Sequence, residues 1–249
     1  LHEDVLNMHH MTALTVFAAG PGVYHVSEME IYPRTIYGKS VRMMETQLQL
    51  HTMAGVSEIT LNMLSPNLAP VCDLQRWFEA LRVNRPQLEW LQGQLRGKRL
   101  TGIGFPWHQD LAKVQFDRGE TAGGLVPDAS LPLVLSRLGL PIQFGESLCG
   151  VNFLSGELPL CLGEEALLRL LSQGLLLDCA AAEHLCRMGY SELLGVALPR
   201  RLTEACYEQF SDDAFCGPYS GQFLAAYTRS PDQEPPAVFT PLMGARPLT

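Results

Sequence analysis

The spacing of hydrophobic and polar positions predicts alternating strands and helices in the first hundred residues. The runs 23–31 and 58–64 are rich in β-forming residues, and a helix between them starts after an N-cap at Ser40. A long amphipathic helix follows over 73–95, and Pro86 is expected to kink or divide it because proline donates no helical hydrogen bond. This β-α-β-α order predicts a parallel sheet covered by helices.

The second half repeats this alternation on a smaller scale. A strand over 99–105 is followed by a glycine-rich stretch, 106–127, that reads as a loop. The pattern then predicts three helices, at 130–138, 164–172 and 180–188, which alternate with strands at 141–144, 151–154 and 175–178. Gly174 is predicted to be the C-cap of the middle helix. Short strands are predicted at 222–228 and 237–240. We predict an α/β fold with two domains, 1–98 and 99–249, the second flavodoxin-like.

Composition excludes several classes of function. The 249 residues are 47% hydrophobic and carry a net charge of −8 without a dense basic run, which argues against nucleic-acid binding. No apolar run reaches the ~18 residues that a membrane span requires. The seven cysteines are scattered without a C-x-x-C pair, so neither a disulfide framework nor a zinc ribbon is expected, and a reducing cytoplasm is the predicted compartment.

Two acidic residues near the end of the first predicted strand are the sharpest candidates for chemistry. Strand alternation places Glu28 and Glu30 on one face. The carboxyl ends of parallel strands are where α/β barrels keep their catalytic groups, and glycoside hydrolysis requires a carboxylate as nucleophile or base. The alternative is an exposed strand end whose acids face water.

Three further residues are candidates for substrate binding. Asn62, at the end of the second strand, could hydrogen-bond a substrate hydroxyl, or it could cap the turn that follows. Tyr32 lies beside the acidic strand end, and Trp107 follows the strand over 99–105. An indole ring can stack on a sugar face, although a loop tryptophan more often packs against protein.

Cysteine and histidine positions offer weaker hypotheses. Cys179 follows Asp178 at a predicted strand-to-helix turn, which is where class I glutamine amidotransferases place their nucleophile. The chain has no histidine beyond His184, so the base of that chemistry is missing. Adjacent His9 and His10 point about 100° apart on a helix, which favours a polar helix face over a metal site. No metal and no cofactor are expected, since phosphate-binding loops are also absent.

A family resemblance connects these features. The stretch 24–64 contains Ser27-Glu-Met-Glu-Ile-Tyr-Pro33, Lys39-Ser40, Glu45 and Ile59-Thr-Leu-Asn62. On these residues it resembles the last barrel units of microbial glycoside hydrolases related to the β-galactosidases. In those enzymes a (β/α)8 barrel is followed by a glutamine-amidotransferase-like, trimerisation-type domain. The segments 138–142, 154–156, 174–183 and 192–196 are similar to that domain.

The resemblance implies a carbohydrate substrate and a nucleophile at Glu28, or at Glu30 if the register shifts by two residues. Partial barrel units expose apolar helix and strand surfaces that must be covered, which favours a homo-oligomer. The family's acid/base glutamate lies on the fourth barrel strand, for which the residues before Tyr24 leave no room. We therefore expect the chain to be the C-terminal part of a longer enzyme, incomplete for catalysis by itself. A non-catalytic scaffold or oligomerisation module is the competing hypothesis, and amidotransferase activity comes third.

Overall fold

The computed structural model describes residues 2–30, 39–63, 70–98, 100–117, 130–146, 150–202, 206–227, 237–242 and 244–245. The helices are α1 (His2–Ala19), α2 (Val41–Met53), α3 (Gln75–Leu95), α4 (Leu111–Asp117), α5 (Ser130–Arg137), α6 (Leu158–Cys161), α7 (Glu164–Leu171), α8 (Cys179–Arg187) and α9 (Ser191–Leu194). The strands are β1 (Val26–Glu30), β2 (Glu58–Asn62), β3 (Ile103–Phe105), β4 (Ile142–Phe144), β5 (Val151–Leu154), β6 (Gly174–Leu177), β7 (Arg200–Arg201), β8 (Cys206–Gln209), β9 (Phe223–Tyr227) and β10 (Ala237–Val238). Parallel pairing of β1 with β2 and of β3 with β4 confirms the α/β class.

The chain divides into two compact units that are discontinuous in sequence. Unit 1 comprises Leu1–Gln109 and Ala129–Val151, and unit 2 comprises Asp110–Asp128 and Asn152–Thr249. Each unit is a group of segments that pack together in space. The division into domains 1–98 and 99–249 stays a prediction.

Unit 1 contains a β-α-β-α segment with a core on one side of its strands. β1 and β2 pair in register from Val26 opposite Glu58 to Glu30 opposite Asn62. Alternation along β1 buries Met29 completely and leaves Glu28 on the other, exposed face. The helices α2 and α3 cover the buried face, and the core consists of Met29, Met44, Leu48, Met63, Leu74, Trp77 and Ala80.

The two helices of this segment form largely as their sequences predict. The Ser40 hydroxyl accepts a hydrogen bond from the Met43 amide at 3.1 Å, which confirms the predicted N-cap of α2. A short 3-10 turn, Val71–Leu74, precedes α3. α3 runs unbroken through Pro86, so the proline does not divide it.

A second parallel pair and α1 complete unit 1. In β3 and β4, Ile103 lies opposite Ile142 and Phe105 opposite Phe144, and the two phenylalanine rings meet edge to face. α1 packs against α5 and β4. His10 on α1 is buried, binds the Ser136 hydroxyl at 2.9 Å and contacts the Phe144 ring. The interpretation of His9 and His10 as an ordinary polar helix face is therefore wrong for His10, because packing against aromatic residues removes it from water.

Two features that the sequence predicts in unit 2 are wrong. The sequence predicts a loop over 106–127, but α4 lies within this stretch. Its first residue, Leu111, is buried, and α4 packs against α6. Gly174 is not a C-cap. Ser172 ends α7, its amide binding the Leu168 carbonyl and its hydroxyl binding the Arg169 carbonyl, so that Gly174 is free to begin β6.

Candidate functional site

The carboxyl ends of β1 and β2 bring three predicted site residues together. The Asn62 side-chain amide donates to Glu28 Oε1 at 3.4 Å and to Glu30 Oε1 at 3.3 Å. Glu30 and Asn62 are also direct partners in the strand register. We call Glu28, Glu30 and Asn62 the acidic edge.

The acidic edge lies on the face of the strands that the helices leave open. Glu28 is exposed, and Glu30 and Asn62 are partly exposed, whereas Met29 on the opposite face is fully buried. An accessible carboxylate held by a neighbouring amide can act as a nucleophile or as a general base. Because one amide contacts both carboxylates, Asn62 fixes their orientation relative to each other.

A lysine on the helix side is tied to the same strand end. Lys39 Nζ donates to the backbone carbonyl of Glu30, and to Gln47 Oε1 at 2.6 Å. Partial burial lowers the pKa of Lys39, while the negative charge of Glu30 opposes that shift. Lys39 therefore anchors the end of β1 from the side opposite the solvent.

Two buried polar residues of α2 continue this contact inward. Gln47 is 1% exposed and His51 is 3% exposed, although both lie on the helix face that carries Met44 and Leu48. Gln47 Nε2 lies 3.4 Å from His51 Nε2, and His51 Nδ1 lies 2.5 Å from Ser27 Oγ on β1. Burial lowers the pKa of His51, and repulsion from His9, when that residue is protonated, and from Lys39 lowers it further.

Sequence reasoning missed Lys39, Gln47 and Ser27 as parts of one network. The available signal was the placement of Gln47 and His51, four residues apart, within an apolar helical stripe. Polar side chains in such a stripe must find partners when they are buried. The partner of His51 is Ser27 on β1, and the partner of Gln47 is Lys39, just before α2. No local sequence pattern indicates either contact.

Trp107, the other predicted binding residue that the structure describes, does not join the acidic edge. Tyr32 lies outside the described residues. Trp107 is partly exposed and follows β3, so it belongs to a different strand pair, and its backbone amide bonds to the Phe105 carbonyl at 2.7 Å. The structure thus groups Glu28, Glu30 and Asn62 and places Trp107 elsewhere in unit 1.

Cys179 is the first residue of α8 and is half-buried. The preceding Asp178 caps the helix by accepting from the Ala181 amide at 2.8 Å, and it also accepts from the Gly156 amide at 2.9 Å. Both contacts hold the start of α8 in place. His184, the last histidine of the chain, lies on α8 itself.

Another thiol of unit 2 is poorly suited to nucleophilic chemistry at neutral pH. Burial raises the pKa of Cys161 to about 11, and the negative charges of Asp110 and Glu157 contribute. Protonated, this thiol instead contacts the Glu157 carbonyl.

A groove of about 280 Å³ lies between α2, β2 and α3. Leu48, Leu81 and Leu88 form part of its apolar lining, and Glu58 stands at its edge. Because Glu58 begins β2 and Asn62 ends it, this groove opens at the amino end of the strand, away from the acidic edge.

Neither a metal-binding cluster nor a membrane-spanning helix is found within the described ranges. Within those ranges, no three histidine, cysteine, aspartate or glutamate side chains are grouped so that they could hold a metal ion. None of the helices described is both long and apolar enough to span a membrane.

Comparison of the chain with protein-family models, with curated proteins and with solved structures found no match.

Proposed function

We propose that this chain is the C-terminal portion of a retaining, β-galactosidase-like glycoside hydrolase, with Glu28 as its nucleophile. The acidic edge carries the proposal: two carboxylates and an amide meet at the carboxyl ends of two parallel strands, on the face opposite the covering helices. In a (β/α)8 barrel that face lines the interior, and that end holds the active site. The order β1-α2-β2-α3 matches two successive barrel units.

In this proposal the second half is a flavodoxin-like domain of the glutamine-amidotransferase type that has lost its own chemistry. The turn from β6 into α8, with Cys179 at the helix start, supports that relation. The absence of any histidine after His184 in the sequence argues against amidotransferase activity. Free thiols are found at Cys72, Cys161, Cys186 and Cys206, in keeping with a cytoplasmic enzyme.

The reaction proceeds by double displacement at the anomeric carbon. A Glu28 carboxylate oxygen attacks that carbon, the bond to the leaving-group oxygen breaks, and the oxygen departs with its electron pair and takes a proton from an acid. Water then hydrolyses the glycosyl ester and restores the carboxylate. The acid must lie about 5–5.5 Å from the nucleophile, and the family resemblance assigns it to an upstream barrel strand. Asn62 would orient Glu28 and a sugar hydroxyl.

Trapping of the glycosyl ester tests this proposal without the acid. A dinitrophenyl fluoroglycoside has a leaving group that departs unprotonated, so the full-length enzyme, which supplies the other barrel units, can be labelled without the help of its acid. Incubation with the galactoside and the glucoside, followed by intact mass and peptide mapping, should give one glycosyl group on Glu28. Glu28→Gln should abolish the label, because an amide cannot form the ester.

Glu58→Gln is the matched control, since Glu58 lies on the same open strand face and binds the Tyr24 hydroxyl at 2.9 Å. This variant should label at the rate of the unmodified chain. A label on Glu30 would move the nucleophile by two residues and keep the enzyme class. Failure of both acids to label would reject the glycosidase proposal.

The second candidate, an oligomerisation module, is favoured by an exposed aromatic pair in unit 2. Tyr207 on β8 and Phe223 on β9 stack with ring centroids 5.7 Å apart, and they are 68% and 62% exposed. Exposed apolar surface of this kind marks association sites. We propose that copies of the chain associate through this pair, whether or not the chain is catalytic.

Light scattering after gel filtration measures the association directly. The double variant Tyr207→Ser/Phe223→Ser should shift the chain toward the mass of one copy. Tyr24→Ser removes a similarly exposed ring, 67% exposed, from unit 1 and should leave the mass unchanged. A chain of monomer mass at high concentration would exclude this candidate.

A further inference from the structure

The contacts of Gln47 fix the protonation state of His51. Because Gln47 Oε1 accepts from the Lys39 ammonium, its amide nitrogen is the end that faces His51 Nε2. That nitrogen only donates, so His51 Nε2 must accept, and the imidazole must be neutral with its proton on Nδ1. The Nδ1–H then donates to Ser27 Oγ, 2.5 Å away.

Protonation of His51 is incompatible with this arrangement. An imidazolium carries N–H on both nitrogens, so His51 Nε2 and the Gln47 amide nitrogen would confront each other as two donors. Rotation of the Gln47 amide would relieve this contact but would turn its NH₂ group toward the Lys39 ammonium. With that rotation Lys39 loses the Gln47 acceptor that now holds it against the end of β1.

We propose that Lys39 is a positioning residue for the acidic edge, and that a relay through Gln47 makes its hold on Glu30 depend on the protonation state of His51. The role of the edge in catalysis rests on the proposed glycosidase function, whereas the relay itself rests only on the geometry of unit 1. Lys39 acts through the Glu30 carbonyl and does not touch substrate.

The surroundings of His51 favour its neutral form at neutral pH, in which the hydrogen bonds of the relay are made. The titratable groups acting on it are His9 on α1 and Lys39, both of which oppose a positive charge, and from β1 it meets the uncharged Ser27. Burial acts in the same direction and keeps its pKa below the ordinary histidine value. The hydrogen bonds of the relay are therefore formed at neutral pH and break when acidification protonates His51.

Nuclear magnetic resonance of the isotope-labelled chain tests the relay without any assay of activity. During an acid titration, the Glu30 carbonyl carbon should shift with the same midpoint as the His51 ring nitrogens. Gln47→Leu should leave the His51 titration in place but remove the matching response at Glu30. A Glu30 signal that ignores His51 in the unmodified chain, or that still follows it in Gln47→Leu, would overturn the relay.

Gln47→Glu is a second variant that preserves the shape of the side chain. Its carboxylate can accept from Lys39 and from a protonated His51 at the same time, so Glu30 should become insensitive to pH while the His51 midpoint rises. Persistence of the coupling in this variant would also overturn the relay, even if Gln47→Leu fails to fold.

The fluoroglycoside label connects the relay to the proposed function. Lys39→Met should slow labelling of Glu28 about tenfold, since small displacements of catalytic groups reduce rates strongly, and Lys39→Arg should recover most of the rate. Labelling that is independent of Lys39 would remove its positioning role. If no label forms while Glu30 still follows His51, the glycosidase proposal fails and the relay stands.

Discussion

Gly102 illustrates how tightly one residue can constrain the packing of unit 1. A Cβ built at this position would lie 2.7 Å from the backbone carbonyl carbon of Pro141 and closer still to its oxygen. A backbone atom just before β4 cannot move aside as a flexible side chain could. Gly102→Ala should therefore lower the free energy of unfolding by about 2–4 kcal/mol, in the range of severe steric substitutions, as measured by urea denaturation.

Gly93→Ala is the matched control for that substitution. Gly93 lies inside α3, is exposed, and has open space where a Cβ would stand. Alanine favours the helix over glycine by about 0.5–1 kcal/mol, so this variant should unfold at higher urea concentration. Equal losses from both variants would contradict the steric argument at Gly102.

Asp178 has a structural role that can be separated from any activity of Cys179. Its carboxylate accepts from the Ala181 amide at the start of α8 and from the Gly156 amide after β5. Asp178→Ala leaves both donors without this acceptor and should reduce stability by about 1–2 kcal/mol. Asp178→Asn retains a side-chain oxygen and should lose less, whereas Cys179→Ala should change urea stability little, which circular dichroism can measure.

At the scale of single helices and strands, the sequence predicts those features that depend only on residues close together in the chain. The Ser40 cap and the strands on either side of α2 could be predicted because a cap residue and a change of hydrophobic period act over a few residues. α4 could not be predicted, because the glycines that follow it indicate a loop, whereas the helix packs against α6, which lies about 40 residues further along the chain.

The contacts of the candidate site also fall into two groups, those that local sequence predicts and those that depend on the packing of distant residues. Alternation along β1 put Glu28 and Glu30 on one face, and the structure adds that Asn62 contacts both. The links from Lys39 to Glu30 and from His51 to Ser27 join residues 9 and 24 positions apart. Such contacts depend on how α2 lies on β1, which a single sequence does not specify.

α3 provides a prediction at the scale of one helix. Pro86 lies inside it and cannot donate to the Arg82 carbonyl, yet the helix continues to Leu95. Packing of Trp77 and Ala80 in the core holds the first half, and the Asn84 amide binds Glu45 on α2 at 2.7 Å. Pro86→Ala restores the missing donor, so it should raise the melting temperature by several degrees, about 1–3 kcal/mol of added stability. An unchanged or lower melting temperature would mean that the proline ring fits this turn without strain.

For the molecule as a whole, three buried or half-buried histidines make stability depend on acidity. Burial, and to a smaller degree the charge of His9, lower the pKa of His10 to about 4, and burial also lowers the pKa values of His9 and His51. A histidine whose pKa is lower in the folded chain binds more protons when unfolded. Stability is therefore full above the ordinary histidine pKa of about 6.5 and declines as the pH falls from there toward 4.

His10 should account for much of this decline. Its Nε2 faces the Ser136 hydroxyl, and its Nδ1 is buried without a partner among the described residues, so an imidazolium would place an unsatisfied N–H in the core. The shift corresponds to at most about 3 kcal/mol between neutral pH and pH 4. Urea unfolding at several pH values should show a steep slope for the unmodified chain and a shallower one for His10→Leu. Above pH 7 the two should differ by a constant amount, because His10 is neutral there in both folded and unfolded chains. An unchanged slope in His10→Leu would show that the decline has another origin.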